Sequence, residues 1–356
     1  MSQTKEKKEE KREVNQALYR KYRPSNFGEV IGQDHIVGVI EKSLKEGKVA
    51  HAYLLCGPRG TGKTTVARII AAELGSSVND IYELDAASNR GIDDVRNIKE
   101  NVHTLPFDSK YKVYILDEVH MFTKDAWNAL LKTIEEPPAH VIFILATTEI
   151  EKVPETIISR CQSFIFKKPN EELLTKVISQ TAKKEGYSLE KGGAELIALL
   201  SDGAFRDAHG ILQKVISYSK DKEITLKEIQ DINGAPANVL VEDLLVSITK
   251  DDLELGLKTI SLVVQQNIDI QVYIKMVISS LRYALILRHA PNMKTILLSK
   301  VSDREINFIE ELIKDKPKNI SSGVLEILLD AFNNIKHSYI QQLPIELALI
   351  KIIDGK

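Results

Sequence analysis

From about residue 14 to 170, short β-branched apolar runs alternate with stretches whose apolar residues recur at helical spacing. The runs are AYLLC (52–56), IYELD (81–85), KVYILD (112–117), VIFILAT (141–147) and SFIF (163–166). That alternation predicts βαβ units on a parallel sheet. Three of the runs are nearly unbroken apolar segments ending in polar or glycine-rich turns, the pattern of strands covered by helices on both faces. Residues that do chemistry are then expected just beyond the carboxyl ends of the strands, where open α/β sheets form their crevice. Past Pro169 the β pattern fades. Residues 170–186 and 193–218 carry apolar positions at helical spacing, with Gly186 and Gly203 as stops, which predicts a small helical domain over 169–234. From Ala235 onward the chain holds 3 of its 18 glycines in 122 residues and is rich in Leu and Ile at helical spacing, as in ALILRHA and VLEILLDAF. An all-α domain is predicted over 235–356.

Composition narrows the class. At about 150 residues per domain, 356 residues suggest two or three domains. With 43% hydrophobic residues, and 48 Lys+Arg against 50 Asp+Glu, the chain is neither disordered nor collagen-like. Residues 1–13 (MSQTKEKKEEKRE) are expected to be a solvated, disordered charged tail, since five basic residues nearly cancel four Glu and almost nothing apolar is available to bury. No apolar run approaches the roughly 20 residues of a membrane-spanning helix, and the N-terminus is unlike a signal peptide. Cys56 and Cys161 lie 105 positions apart and cannot make an intrachain four-cysteine zinc site. A cytoplasmic, reducing location and no membrane partner are the expectation.

The chemistry begins at Gly57-Pro58-Arg59-Gly60-Thr61-Gly62-Lys63-Thr64, which matches G-x-x-x-x-G-K-[ST] between a predicted strand and the helix TVARIIAAEL. Glycines let the backbone curl so that consecutive N–H groups face phosphate oxygens at a helix N-terminus. Lys63 would reach the β- and γ-phosphates and the Thr64 hydroxyl would take Mg²⁺. Fifty-four positions after Lys63, the strand VYILD ends in Asp117-Glu118. Asp117 is placed to hold the Mg²⁺ shell and Glu118 to orient and deprotonate a water. The next strand ends in Thr147-Thr148, one of which could sense the γ-phosphate or position that water. ATP and Mg²⁺ are the expected cofactors.

Longer segments carry a resemblance: LYRKYRP (18–24), VIGQDH (30–35), HAYLLCGPRGTGKTT (51–65), ELDAASNRGIDDVR (83–96), ILDEVHMF (115–122), NALLKTIEEPP (128–138), FILATTE (143–149) and ISRC (158–161). These resemble the AAA+ clamp loaders, and within them the gamma/tau ATPase subunits of bacterial DNA polymerase III. The resemblance covers residues 17 to about 235 densely. It implies an α/β P-loop AAA+ core over 14–168, followed by a small helical lid and an all-α collar. By the same resemblance, Tyr22, Arg23, Pro24, Val30 and Ile31 cup adenine and ribose, and Thr65 completes the loop's nucleotide contacts. Arg160 acts as an arginine finger in the neighbouring subunit's site. Arg206 crosses from the small helical domain to the γ-phosphate; here GAFRDAHG departs from the family's usual form at Ala204, Phe205 and His209, while the arginine is kept.

The resemblance also implies partners: delta, delta-prime and further gamma/tau copies, the beta sliding clamp, and primer-template DNA held without sequence specificity by Arg90, Arg96 and Lys132. Many family members carry a four-cysteine zinc module where this chain has only Gly75–Leu84, so no zinc is expected. The long C-terminal extension of tau has no counterpart in these 356 residues. Holoenzyme subunits are grouped with DNA-directed DNA polymerase, but no polymerase site is read here; the acids are arranged around ATP. Two other readings stand beside the motor: a non-hydrolysing subunit resembling delta-prime, against which the intact loop and Asp117-Glu118 speak, and a related AAA+ remodeller such as a Holliday-junction motor, from which the DAASNRG and EEPP segments separate it.

Overall fold

The computed structural model describes residues 16–294, 297, 301, 303–314 and 318–355; the charged tail expected over 1–13 lies outside them. The described chain forms two units, one comprising the residues up to Leu173 with Gly203–Asp207, the other 174–202 with 208–355.

In the first unit all five predicted strands are present: β1 (Ala52–Cys56), β2 (Ile81–Asp85), β3 (Lys112–Asp117), β4 (Val141–Thr147) and β5 (Gln162–Ile165). They make one parallel sheet in the order β2-β3-β4-β1-β5. The central strands β1 and β4 are buried at every position, and β3 at all but its last, which is why they read as unbroken apolar runs. The edge strands β2 and β5 are largely solvent-facing. β5 begins one residue earlier than the sequence pattern predicts and ends before Phe166, because an edge strand with one buried position gives no periodic signal for its ends.

Alternate residues of each central strand feed two cores. On one face Leu54, Tyr114, Leu116 and Phe143 cluster with Val95 and Ile98 of α4 (Ile92–Asn101) and with Trp127, Leu130 and Ile134 of α5 (Lys124–Glu135). On the other, Tyr53, Leu55, Ile115 and Ile144 cluster with Ile36 and Ile40 of α2 (Asp34–Lys45) and with Val66 and Ile70 of α3 (Lys63–Glu73). A short α1 (Leu18–Lys21) precedes this layer, and α6 (Glu155–Ile158) joins β4 to β5. Helices on both faces thus bury the sheet and leave the carboxyl ends of its strands to carry the site.

The second unit is helical apart from a two-residue parallel pair, β6 (Ser188–Leu189) with β7 (Glu223–Ile224), which was not predicted. Its helices include α8 (Gly193–Leu200), α10 (Leu226–Asn233), α11 (Asn238–Lys250), α12 (Leu253–Gln265), α13 (Ile270–His289), α14 (Asp303–Ile313), α15 (Ser322–Ile335) and α16 (Leu343–Ile353). Two more, α7 (Glu171–Lys184) and α9 (Phe205–Tyr218), begin in the first unit. Consecutive helices α11 and α12 pack together, as do α15 and α16. By length and composition α13 could cross a membrane, contrary to the expectation that no run would qualify. Tyr273, Ile274, Val277, Leu281 and Ala284 of this helix are buried in the helical core, and the Tyr273 hydroxyl donates to the Leu240 carbonyl at 3.0 Å.

Candidate functional site

β1 ends where the chain must turn sharply into α3, and the turn is built against the end of β5. A Cβ added at Gly57 would stand 2.4 Å from the Phe166 carbonyl oxygen, and the φ there is +141°. Gly60, at φ +74°, has room for no side chain because Ala204 Cβ lies 2.7 Å from where its own would be. The Phe205 N–H donates to the Gly60 carbonyl at 3.1 Å, which holds the first turn of α9, and with it Arg206, against the loop. The Arg206 guanidinium stacks over the Tyr19 ring at 5.0 Å. Thr61 Oγ1 donates to the Pro58 carbonyl at 2.9 Å, bracing the loop from within, while Arg59 is exposed.

Lys63 opens α3 and is only 5% exposed. Its ammonium donates to the carbonyls of Gly57 and Pro58 at 2.8 and 3.0 Å. Burial pushes its pKa down, opposed by the nearby Glu118 and Asp117 carboxylates. Burial likewise pushes the Cys56 thiol up to about 11 and the Cys161 thiol up to about 12, so both stay protonated at neutral pH.

The two halves of the sequence motif meet at the Thr64 hydroxyl, which donates to Asp117 Oδ2 at 2.6 Å. Asp117 Oδ1 accepts the Glu118 N–H at 2.9 Å. A hydroxyl and a carboxylate side by side at a helix N-terminus are hard oxygen donors that fit Mg²⁺, which takes few protein ligands and completes its shell with phosphate and water. Glu118 follows in the left-handed region at φ +48°, a strained conformation for a non-glycine residue and one concentrated at functional sites. Its Oε2 accepts from the Thr148 N–H at 3.3 Å and from the Thr148 hydroxyl at 3.1 Å. Of the two threonines it is therefore Thr148 that touches Glu118. Thr147 is fully buried, still paired within β4, and its hydroxyl contacts His120 Nδ1 at 3.2 Å and the backbone of Glu149.

The strip after α1 also reaches the loop helix, since Arg23 Nε donates to Thr65 Oγ1 at 3.2 Å. Burial and the neighbouring Arg68 lower the Arg23 pKa. Tyr22 and Pro24 flank it half-buried, Val30 packs against the α2/α3 core, and Ile31 is exposed. Arg160 lies elsewhere, on the turn after α6. Its guanidinium is held by Glu135 at 2.7 Å and by the Thr156 carbonyl at 2.6 Å, with the side chain 37% exposed. Arg90, Arg96 and Lys132 are all exposed on the α4/α5 side, and Arg96 pairs with Asp93 at 3.0 Å. Sequence reasoning assigned no role to His120 or Glu149, whose side chains stand 3.3 Å apart; His120 lies inside the DEVH segment, but nothing in its spacing points to Glu149.

Comparison with known proteins shows the family and the fold. The family model described as "DNA polymerase III, delta subunit" matches residues 76–170. The Thermotoga maritima RuvB Holliday junction branch migration motor superposes with a TM-score of 0.51 at 24% identity, over 65% of this chain and 80% of that one, a likeness that shows the AAA+ fold. DNA polymerase III subunit tau of Bacillus subtilis is 36% identical over 95% of this chain and 63% of its own length. The gamma/tau subunit of Mycoplasma pneumoniae is 40% identical over 61% of this chain and 35% of its own, so the chain spans only part of these relatives. DNA polymerase III subunit gamma of Buchnera aphidicola from Acyrthosiphon pisum is 31% identical over 96% of this chain and 99% of its own length. The chain belongs to the DNA polymerase III gamma/tau family.

Proposed function

We propose that this chain is an ATP-driven motor subunit of the bacterial sliding-clamp loader, a Mg²⁺-dependent and DNA-stimulated ATPase that loads the beta clamp onto primer-template DNA in the cytoplasm. The convergence of Lys63, Thr64, Asp117 and Glu118 at the carboxyl ends of β1 and β3 carries the reading. The phosphates lie along the N–H groups of Gly60–Thr64, with Lys63 exchanging its loop carbonyls for β- and γ-phosphate oxygens. Thr64 and Asp117 hold Mg²⁺, which when bound neutralises charge on the phosphate oxygens. Glu118 orients a water for in-line attack: the water oxygen bonds to the γ-phosphorus, the bond to the β-γ bridging oxygen breaks, and the water's proton passes toward the carboxylate.

Thr148 steers Glu118, Arg206 approaches the phosphates from the start of α9, and Tyr22–Pro24 with Val30 and Ile31 border the base. Arg160 completes the site of a neighbouring copy. Arg90, Arg96 and Lys132 contact DNA phosphates, residues 169–234 act as the lid, and 235–356 form the collar that joins the chain to delta, delta-prime and other copies. The collar's 14 Lys/Arg and 15 Asp/Glu nearly cancel, which suits protein packing better than duplex binding. The family-model match to a delta subunit favours, as a second reading, a non-hydrolysing member of the same assembly.

One pair of measurements separates the two. Glu118→Gln keeps shape and removes the carboxylate. It is expected to bind ATP with unchanged affinity while turnover by the assembled protein falls by about 10² or more. A wild-type chain that never binds ATP, even with clamp and primed DNA present, would leave only the non-hydrolysing reading.

A further inference from the structure

His120 has no part in the roles given above, yet its side chain is only 8% exposed and lies between two carboxylates. Nδ1 is 3.3 Å from Glu118 Oε2, and Nε2 is 3.3 Å from Glu149 Oε1. Nδ1 also meets Thr147 Oγ1 at 3.2 Å. The Thr147 hydroxyl donates to the Glu149 carbonyl at 3.2 Å and accepts the Glu149 N–H at 3.1 Å, so its one hydrogen is already directed elsewhere. Nδ1 makes its hydrogen bond to Thr147 Oγ1, and that contact pins the ring with one carboxylate oxygen at ion-pair distance from each nitrogen, Glu118 on the Nδ1 side and Glu149 on the Nε2 side. Glu149 is anchored in turn by Lys152, 2.7 Å from its Oε2, and that cation holds the Glu149 carboxyl below the usual carboxylate range.

The consequence for Glu118 is an asymmetry between its two oxygens. The Thr148 N–H, the Thr148 hydroxyl and His120 Nδ1 all face Oε2, and among the described residues Oε1 has no hydrogen-bond partner. A carboxylate gripped through one oxygen keeps the other for a water. A carboxylate left to rotate would lose that alignment, and misplacement of about 1 Å costs on the order of 10²-fold in rate.

We propose that His120 is a positioning residue for ATP hydrolysis: its imidazole holds Glu118 by Oε2, so that Oε1 is presented to the attacking water, and links that orientation to Glu149 at the turn after β4. The inference rests on the reading of Glu118 as the residue that orients the water.

The test uses the full chain assembled with delta and delta-prime, with clamp and primed DNA. His120→Ala is expected to lower kcat about 10- to 100-fold, the usual cost of losing a group that orients a catalytic one. KM for ATP should stay within about twofold, because the loop and Lys63 are untouched. His120→Asn places an amide N–H near the Nδ1 position and should recover most of the loss, which a packing defect alone would not allow. In a Glu118→Gln background, His120→Ala should cost nothing further in single-turnover experiments. Glu149→Gln, an isosteric change on a part-exposed side chain, should lower kcat in the same direction and covers the case in which the alanine variant folds poorly. The proposal is overturned if His120→Ala keeps wild-type kcat, if it costs as much in the Glu118→Gln background as in the wild type, or if Asn restores nothing. Should Glu118→Gln itself hydrolyse ATP normally, the reading of Glu118 fails and this inference with it. An inactive Glu118→Gln beside a fully active His120→Ala would overturn the inference alone.

Discussion

Asp80 is 1% exposed and sits in the short Gly75–Leu84 connection. Its carboxylate accepts the N–H groups of Phe107 and of Asp108, the latter at 2.9 Å, and the Ser77 hydroxyl at 3.1 Å. Burial works to raise its pKa, but these donors outweigh it and hold the carboxyl far below the usual carboxylate range. A group whose folded pKa is depressed stabilises the fold above its unfolded value of about 3.9, and that contribution is lost as pH falls through the folded pKa. Asp80→Asn should therefore lower Tm at pH 7, since an amide nitrogen would face a backbone N–H. The gap from wild type should narrow as pH falls below about 4. Thermal melts across that range decide the point, and a gap that widens toward acid would contradict the assignment. Residue-scale chemistry of this kind was hidden in the sequence, because Asp80 meets partners 27 and 28 positions away. His120 and Glu149 were hidden for the same reason, whereas Lys63, Thr64 and Asp117 were legible because glycine spacing and a strand end fix their places in advance.

At the scale of elements, α5 follows the turn that holds Glu118 and packs Trp127, Leu130 and Ile134 into the core. Thr123 caps it, its hydroxyl accepting the Ala126 N–H at 3.2 Å, and its own N–H donates to the Arg90 carbonyl at 3.2 Å. Thr123→Ala removes the side-chain cap and should cost about 1 kcal/mol of unfolding free energy, read as a lower denaturant midpoint at unchanged slope. No change in midpoint would mean that water replaces the cap without loss. The strands were legible because central positions buried on two faces leave unbroken apolar runs. The start of β5 was displaced by one because an edge strand is half exposed, and β6 and β7 are two residues each, too short for any period to register. The strand end also explains the threonines. Thr147 still pairs with Cys56 inside the sheet, while Thr148 is the first residue released from it and so the one free to turn toward Glu118.

At the scale of the whole molecule, the proposed function has Arg160 of one chain complete the ATP site of another. Arg160 is spent, in this chain, on Glu135 and the Thr156 carbonyl. A partly exposed ion pair of this kind contributes only about 0–1 kcal/mol, so the guanidinium can exchange Glu135 for a neighbouring γ-phosphate at little cost. There it would stabilise charge on the transferring phosphoryl group, worth on the order of 10³ or more in rate. The most direct measurement is DNA-stimulated ATP turnover by the assembled loader carrying Arg160→Ala, set beside nucleotide affinity and the turnover of the isolated chain. A finger acting in trans predicts unchanged affinity, an unchanged isolated-chain rate and a loss of stimulated turnover by about 10³. An equal loss in the isolated chain, or full stimulated turnover in the assembly, would contradict it.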